Sequence, residues 1–248
     1  MKILENFNYG KHEMQLLDVH IPEGKTEFPV FIYLHGGGLT SGNHKQGFLS
    51  DLCDKGVAVV SATYRKYPQA KYPEFIEDGA SVVKWTYDNI SKYGKINGFF
   101  VGGTSAGAYI TMMLCFDSKY LSKHGLSNDV VTGYYFNTGQ ATTHFNVLKE
   151  RGIDSKRLIV DDAAPLYHIK PDITYPPMEY TLATNDLPLR YEEHELLKAV
   201  LKNQGHNMDK VTFVVQEGEK HVAYIHHTDK NGNYIFAQMI YDFIKKNS

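Results

Sequence analysis

Ser105 stands between glycines in Gly103-Thr104-Ser105-Ala106-Gly107, directly after the apolar run Phe99-Phe100-Val101. A serine at a sharp strand-to-helix turn projects its hydroxyl out of a sheet, and flanking glycines remove side chains that would clash in the turn. Such a hydroxyl attacks a carbonyl once a neighbouring base takes its proton. Upstream, His35-Gly36-Gly37-Gly38 follows a second apolar run, Val30-Phe31-Ile32-Tyr33-Leu34. Glycines there let backbone approach a substrate closely and offer N–H groups to a developing oxyanion. Ser105 also opens a helix, whose N-terminal dipole favours negative charge. The Ala106 amide is the natural first donor, and the amides of Gly37 and Gly38 complete the oxyanion hole. Either motif alone has a bland reading, as a chance string or a flexible turn. Their occurrence together, in order and each at the end of an apolar strand, points to acyl transfer by a nucleophilic serine.

The serine needs a base and an acid to orient it, supplied in this architecture from later loops in the order Ser, Asp or Glu, His. Asp186 follows the strand ending Leu182-Ala183-Thr184, and His221 follows Val211-Thr212-Phe213-Val214-Val215 through the loop Gln216 to Lys220. His221 would take the Ser105 proton and return it to the leaving group, while Asp186 holds the imidazole tautomer. Their rivals are weaker. His226 and His227 lie further into the following segment, Glu192 falls on a helix, and Glu219 lies on the histidine loop itself.

Elements that alternate in type must position these groups. Gln15 to Ile21 alternates like an exposed strand, with Leu17, Val19 and Ile21 on one face and Asp18 and His20 on the other. Phe28 to Leu34 and Val57 to Thr63 are continuous apolar runs, as in buried parallel strands. His44 to Lys55 reads as a helix stopped by Gly56, with His44 and Lys45 at its solvated start. Pro73 to Ile90 carries an apolar stripe through Ile76, Ala80, Val83, Tyr87 and Ile90. Strand Gly98 to Val101, helix Ala106 to Phe116, strand Gly133 to Phe136, strand Met178 to Thr184, helix Leu189 to Asn203, strand Val211 to Val215 and a helix over Tyr234 to Lys245 complete the series. Such alternation predicts one α/β domain over 1–248, with a mostly parallel sheet between helices. The irregular stretch 138–177 holds Pro165, Pro171, Pro176 and Pro177 and reads as a small cap or loop cluster over the site. Asn137 and Thr138 fall beyond a strand end, where substrate-contacting loops belong. Tyr109 reads as core.

Bulk composition agrees. The 248 residues carry 26 basic and 28 acidic side chains, a net charge of −2 with no basic block, so nucleic acid is not an expected partner. The residues from Met1 to Asn8 are interrupted by charged and amide groups, unlike a secretory apolar core, and no apolar run is long enough for a membrane span. Two cysteines, Cys53 and Cys115, make no disulfide framework, which fits a reducing, cytoplasmic setting.

These residues resemble the α/β-hydrolases of the esterase/lipase type, related to hormone-sensitive lipase, bacterial acetyl esterases and kynurenine formamidases. The resemblance spans about Gln15 to Lys245 and rests on His35-Gly36-Gly37-Gly38, Tyr64-Arg65, the Ser105 pentapeptide, Pro165-Leu166-Tyr167-His168, Asp186 and His221. It implies an α/β-hydrolase fold and a carboxylic-ester hydrolase with an acyl-serine intermediate. It further implies oxyanion donors at Gly37, Gly38 and Ala106 and no metal or organic cofactor. Leu39 stands where relatives often carry an aromatic residue, a substitution read as altering the acyl pocket and as weakening the formamidase reading. Thr63 stands where they often carry Asp, so an ion pair there is lost and Arg65 is read as holding a loop. The short segment before the first strand leaves no room for a large helical cap, so the expected substrate is a small, short-chain acyl ester. Two alternatives stay open: amide cleavage of the arylformamidase type, and a non-catalytic hydrolase scaffold that only binds. A homodimer also stays open.

Overall fold

A computed structural model describes all of residues 1–248. Eight strands form one sheet: β1 (Lys2–Asn8), β2 (Leu16–Ile21), β3 (Glu27–Leu34), β4 (Ala58–Ala62), β5 (Lys95–Thr104), β6 (Gly133–Asn137), β7 (Met178–Asn185) and β8 (Val211–Lys220). Their spatial order is β1-β2-β4-β3-β5-β6-β7-β8. From β4 to β8 every pairing is parallel, while β1 and β2 run antiparallel at one edge. Seven helices cover it: α1 (Phe48–Asp54), α2 (Glu74–Asn89), α3 (Ala106–Phe116), α4 (Lys119–Ser122), α5 (Phe145–Glu150), α6 (Arg190–Asn203) and α7 (Ile235–Asn247). This is the α/β-hydrolase fold expected from the sequence.

The continuous apolar strands supply both faces of the core. In β3, Val30, Ile32 and Leu34 pack with α2 and α3, while Phe31 and Tyr33 pack with Phe48 of α1 and Phe236 of α7 on the other side. No helix is long and apolar enough to cross a membrane. Both cysteines are free and buried.

Several sequence expectations need correction. The first is β1, where no strand was expected. A bulge between Leu4 and Phe7, with Asn6 at φ 62°, breaks the period of two that would reveal it. Strand β1 in turn covers β2, which is buried on both faces rather than exposed. The Asn6 amide donates to Asp18 Oδ1 at 2.8 Å, and His44 Nε2 lies 3.1 Å from Asp18 Oδ2. His44 is therefore a buried partner and not a solvated helix start. Its carbonyl accepts from Ser61 Oγ at 2.6 Å, which holds the segment out of the helix until Phe48. Tyr87 of the expected α2 stripe is half exposed; Phe75, Gly79 and Val82 take part in the buried face instead. Strand β8 continues through Gln216 to Lys220, whose polarity suggests a loop; the strand lies at the sheet edge, where polar residues remain solvated.

Glu179, on β7, is buried among apolar strands with no hydrogen-bond donor, and burial raises its carboxyl from about 4.5 to about 7. Lys246 opposes the shift and Asp242 reinforces it. A carboxyl raised in the folded state contributes stability that is fully present below about pH 4.5 and is lost as pH rises through about 7. Glu179→Gln is therefore expected to gain about 2–3 kcal/mol relative to the parent between pH 5 and pH 8. Chemical denaturation at both pH values measures this. An identical stability difference at the two would contradict it.

Candidate active site

The site lies at the carboxyl ends of β3, β5, β7 and β8, where open α/β sheets present their ligand crevices. Strand β5 ends at Thr104, and Ser105 then takes φ 54°, ψ −113° before α3 begins at Ala106. That left-handed backbone is costly for a non-glycine residue and is held by its surroundings. The Ser105 amide donates to the Asn137 carbonyl at 2.7 Å, and the Ser105 carbonyl accepts from Tyr109 N at 2.9 Å. The flanking glycines are required by close approach. A Cβ on Gly103 would lie 2.4 Å from the Gly107 carbonyl carbon, and one on Gly107 would lie 1.9 Å from the Leu34 carbonyl oxygen. The elbow is thus pressed against the end of β3, just before the His35 turn.

Asp186 and His221 meet through strand register. Asn185 of β7 pairs with Lys220 of β8, so the next residue on each strand, Asp186 and His221, emerge side by side. Gly218 N donates to Thr184 Oγ1 at 2.8 Å, and Asn185 Nδ2 donates to the Gly218 carbonyl at 3.0 Å; both bonds lock that edge. His221 Nδ1 is 2.5 Å from Asp186 Oδ1, and His221 Nε2 is 2.9 Å from Ser105 Oγ. The Asp186 side chain is 2% exposed and that of His221 19%, so the carboxylate is sheltered and the imidazole reaches the cleft. The tautomer consistent with these contacts has Nδ1–H donating to the carboxylate and Nε2 accepting from the serine hydroxyl.

His35 takes the opposite role. Burial depresses its ring to about 4, so it stays neutral, with Nδ1–H donating to the Gly36 carbonyl at 2.5 Å. Its Nε2 accepts from Thr63 Oγ1 at 3.3 Å, and its ring stacks on Tyr64. Thr63 therefore serves the glycine turn. Arg65 turns to α2 and pairs with Asp78 at 2.8 Å and Glu74 at 2.9 Å, which holds the loop after β4.

The cleft over Ser105 measures about 390 Å³. Gly37 and Gly38 line it, and neither of their amides has an acceptor inside the protein. The Ala106 amide lies in the first turn of α3, where helix N–H groups lack intrahelical partners. Phe145, Leu187, Val222 and Ile225 form apolar walls, and Gln46 and His226 are polar rim groups. His226 is weighed in the sequence only as a rival base, and the other five carry no sequence assignment. Two signals point near them: Phe145 falls in the irregular stretch 138–177, and Val222 to His226 directly follow the candidate base His221.

Leu39, Asn137 and Thr138 require correction as substrate contacts. Each is 0% exposed, and none lines the cleft. Leu39 turns into the core. The Asn137 amide bonds Thr104 Oγ1 at 3.2 Å and accepts from the Tyr224 hydroxyl, which makes it a brace behind the elbow. Thr138 Oγ1 lies 3.3 Å from His221 Nδ1, and the Thr138 carbonyl accepts from Arg190 Nη1 at 2.8 Å. Of the rival groups, Glu192 is exposed on α6, and Glu219 lies 3.6 Å from His227, away from Ser105. Tyr109 is core, its hydroxyl donating to the Ala163 carbonyl at 2.7 Å.

A family model, BD-FAE, matches residues 17–148. An AB hydrolase superfamily protein of Schizosaccharomyces pombe is 35% identical over 97 residues, 38% of this chain and 28% of that one. A kynurenine formamidase of Salmo salar is 32% identical over 114 residues, 45% of this chain and 38% of that one. The matches thus span between a quarter and two-fifths of these relatives' lengths. Among solved structures, esterase B from Lactobacillus rhamnosis, inhibited by a C4-C4 tributyrin phosphonate, superposes with a TM-score of 0.78 at 18% identity, over 99% of this chain and 86% of that one.

Because Gly107 abuts the Leu34 carbonyl, Gly107→Ala is expected to destabilise the fold by about 3 kcal/mol or more. Soluble yield and thermal unfolding measure this. A variant as stable as the parent would show that the elbow is not packed against β3.

Proposed function

The chain belongs to the BD-FAE family, and from that premise we propose that it is a serine carboxylesterase that hydrolyses small, short-chain acyl esters. The observation that carries the reading is the single imidazole of His221, 2.9 Å from Ser105 Oγ and 2.5 Å from Asp186 Oδ1, beside a turn with unpaired glycine amides. In the first step Ser105 Oγ attacks the ester carbonyl while His221 Nε2 accepts its proton. The amides of Gly37, Gly38 and Ala106 hold the resulting oxyanion, and Asp186 stabilises the imidazolium. Collapse expels the alcohol, which takes the proton from His221. Water, deprotonated by the same imidazole, then attacks the acyl-serine and frees the acid. No step calls on a metal or organic cofactor.

The Phe145 ring, in contact range of Gly38, narrows the cleft beside the glycine turn and favours a short acyl group. Amide cleavage is the second reading, favoured by the similarity to the Salmo salar formamidase. It draws on the same attack and the same oxyanion.

Turnover of p-nitrophenyl esters is expected to peak at about two to four acyl carbons and to exceed turnover of N-formylkynurenine. A peak at eight carbons or longer would refute the short-chain assignment, and a strong formamide preference would replace ester by amide. Ser105→Ala is expected to lower kcat by about 10⁴-fold or more at unchanged fold. Retention of activity within tenfold would exclude the serine mechanism.

A further inference from the structure

An oxyanion hole made of glycine amides has a weakness: three consecutive glycines have no side chains to hold their peptide planes. In a trans peptide the carbonyl of one residue points opposite to the N–H of the next. Anchoring a carbonyl on the protein side therefore aims the following amide the other way. In this turn each carbonyl has its own anchor. The Gly36 carbonyl accepts from His35 Nδ1, which directs the Gly37 amide. The Gly37 carbonyl accepts from the backbone amides of Thr40 and Ser41, both at 3.0 Å, and from the hydroxyls of the same residues at 3.2 and 3.1 Å, which directs the Gly38 amide. The Gly38 carbonyl accepts from Asn146 Nδ2, the one anchor that comes from a distant part of the chain.

We propose that Asn146 is a positioning residue of the oxyanion turn, and that α5 is the brace through which the 138–150 segment presets it. The proposal rests on the serine-esterase reading above. Gly38 sits at φ 62° and Leu39 at φ 64°, so the turn leaves the site through two left-handed residues. The Gly38 carbonyl lies in the peptide that carries the Leu39 amide, so Asn146 acts on the Gly38 amide one bond removed: it fixes the plane that follows Gly38 and with it the left-handed rotation at Gly38 on which the Gly38 amide's direction depends.

The brace is itself fixed from below. His144, kept neutral by complete burial, accepts from the Asn146 backbone amide at 3.2 Å and stacks on Phe145. The Phe145 amide donates to Gln140 Oε1 at 3.1 Å, and Gln140 Oε1 also accepts from buried Arg190 at 3.3 Å. Glu193 accepts from Ala141 N at 3.0 Å and from Thr142 Oγ1 at 3.1 Å, and His194 Nε2 donates to the Gly139 carbonyl at 2.7 Å. One turn of α6 thus seats the segment that carries Asn146.

The test compares the parent with Asn146→Ala and Asn146→Asp, using p-nitrophenyl acetate and an alkyl trifluoromethyl ketone. Ser105 Oγ adds to the ketone, its proton passes to His221, and the carbonyl oxygen becomes an oxyanion, so ketone affinity reads the hole directly. Asn146→Ala is expected to lower kcat by about 10- to 100-fold with KM within about threefold. Ketone inhibition should weaken in proportion to kcat/KM. Asn146→Asp keeps the shape but replaces the donor by an acceptor, and is expected to lose at least as much; it decides the question if the alanine variant fails to fold. Unchanged ketone affinity, or a loss confined to KM, in a folded variant would overturn the positioning role. A parent protein that neither hydrolyses the ester nor binds the ketone would overturn the esterase reading and this proposal with it.

Discussion

The contact on which the cleft depends is the one made by the two nitrogens of His221. One nitrogen meets a carboxylate delivered by β7, and the other meets a hydroxyl delivered by β5. Neither meeting is local in sequence. The first is fixed by the pairing of Asn185 with Lys220, which makes the ends of β7 and β8 coincide. The second is fixed by the strained turn at Ser105, which aims the hydroxyl back over the sheet. A slip of one residue in β8 would reverse every side chain beyond it and remove the imidazole from both partners. The end of β8 is secured from β7: the side chains of Thr184 and Asn185 bind the main-chain N–H and carbonyl of Gly218 and hold the register where apolar packing no longer does.

Around that contact the protein prefers hydrogen bonds to mass. The glycine turn and the elbow are bare of side chains, which allows β3 and α3 to approach closely, and their geometry is restored by groups placed behind them. His35, Thr63 and Tyr64 support the start of the turn. Asn137 and Tyr224 support the elbow. Arg190, Glu193 and His194 are all buried, and each is bonded to the loop that follows β6. Burying a charged or polar group is unfavourable unless it is bonded, and here the bonds specify one loop conformation in a region without regular structure.

Much of this was legible in the sequence. The apolar runs marked the parallel strands because strands buried on both faces have no polar alternation to lose. The glycines flanking Ser105 and following His35 marked close backbone approach, and chain order singled out Asp186 and His221 as the groups to meet Ser105. Less legible was anything decided by long-range contact. β1 escaped because its bulge breaks the alternation, and the burial of Asp18 and His44 depends on β1 being there. Leu39, Asn137 and Thr138 stand beside the site in sequence yet point behind it. A position next to a motif locates the backbone, and only packing decides the side chain's direction. Phe145 and Asn146 lay in an irregular stretch with no periodicity to read, and a single side-chain amide on a distant carbonyl leaves no pattern in one sequence.

The account is tested most directly by exposing the parent protein to a fluorophosphonate and locating the adduct by peptide mass spectrometry. It predicts one covalent addition per chain, on the peptide that contains Ser105, with the rate greatly reduced in His221→Ala. A protein that stays unmodified, or an adduct on any other residue, would contradict it.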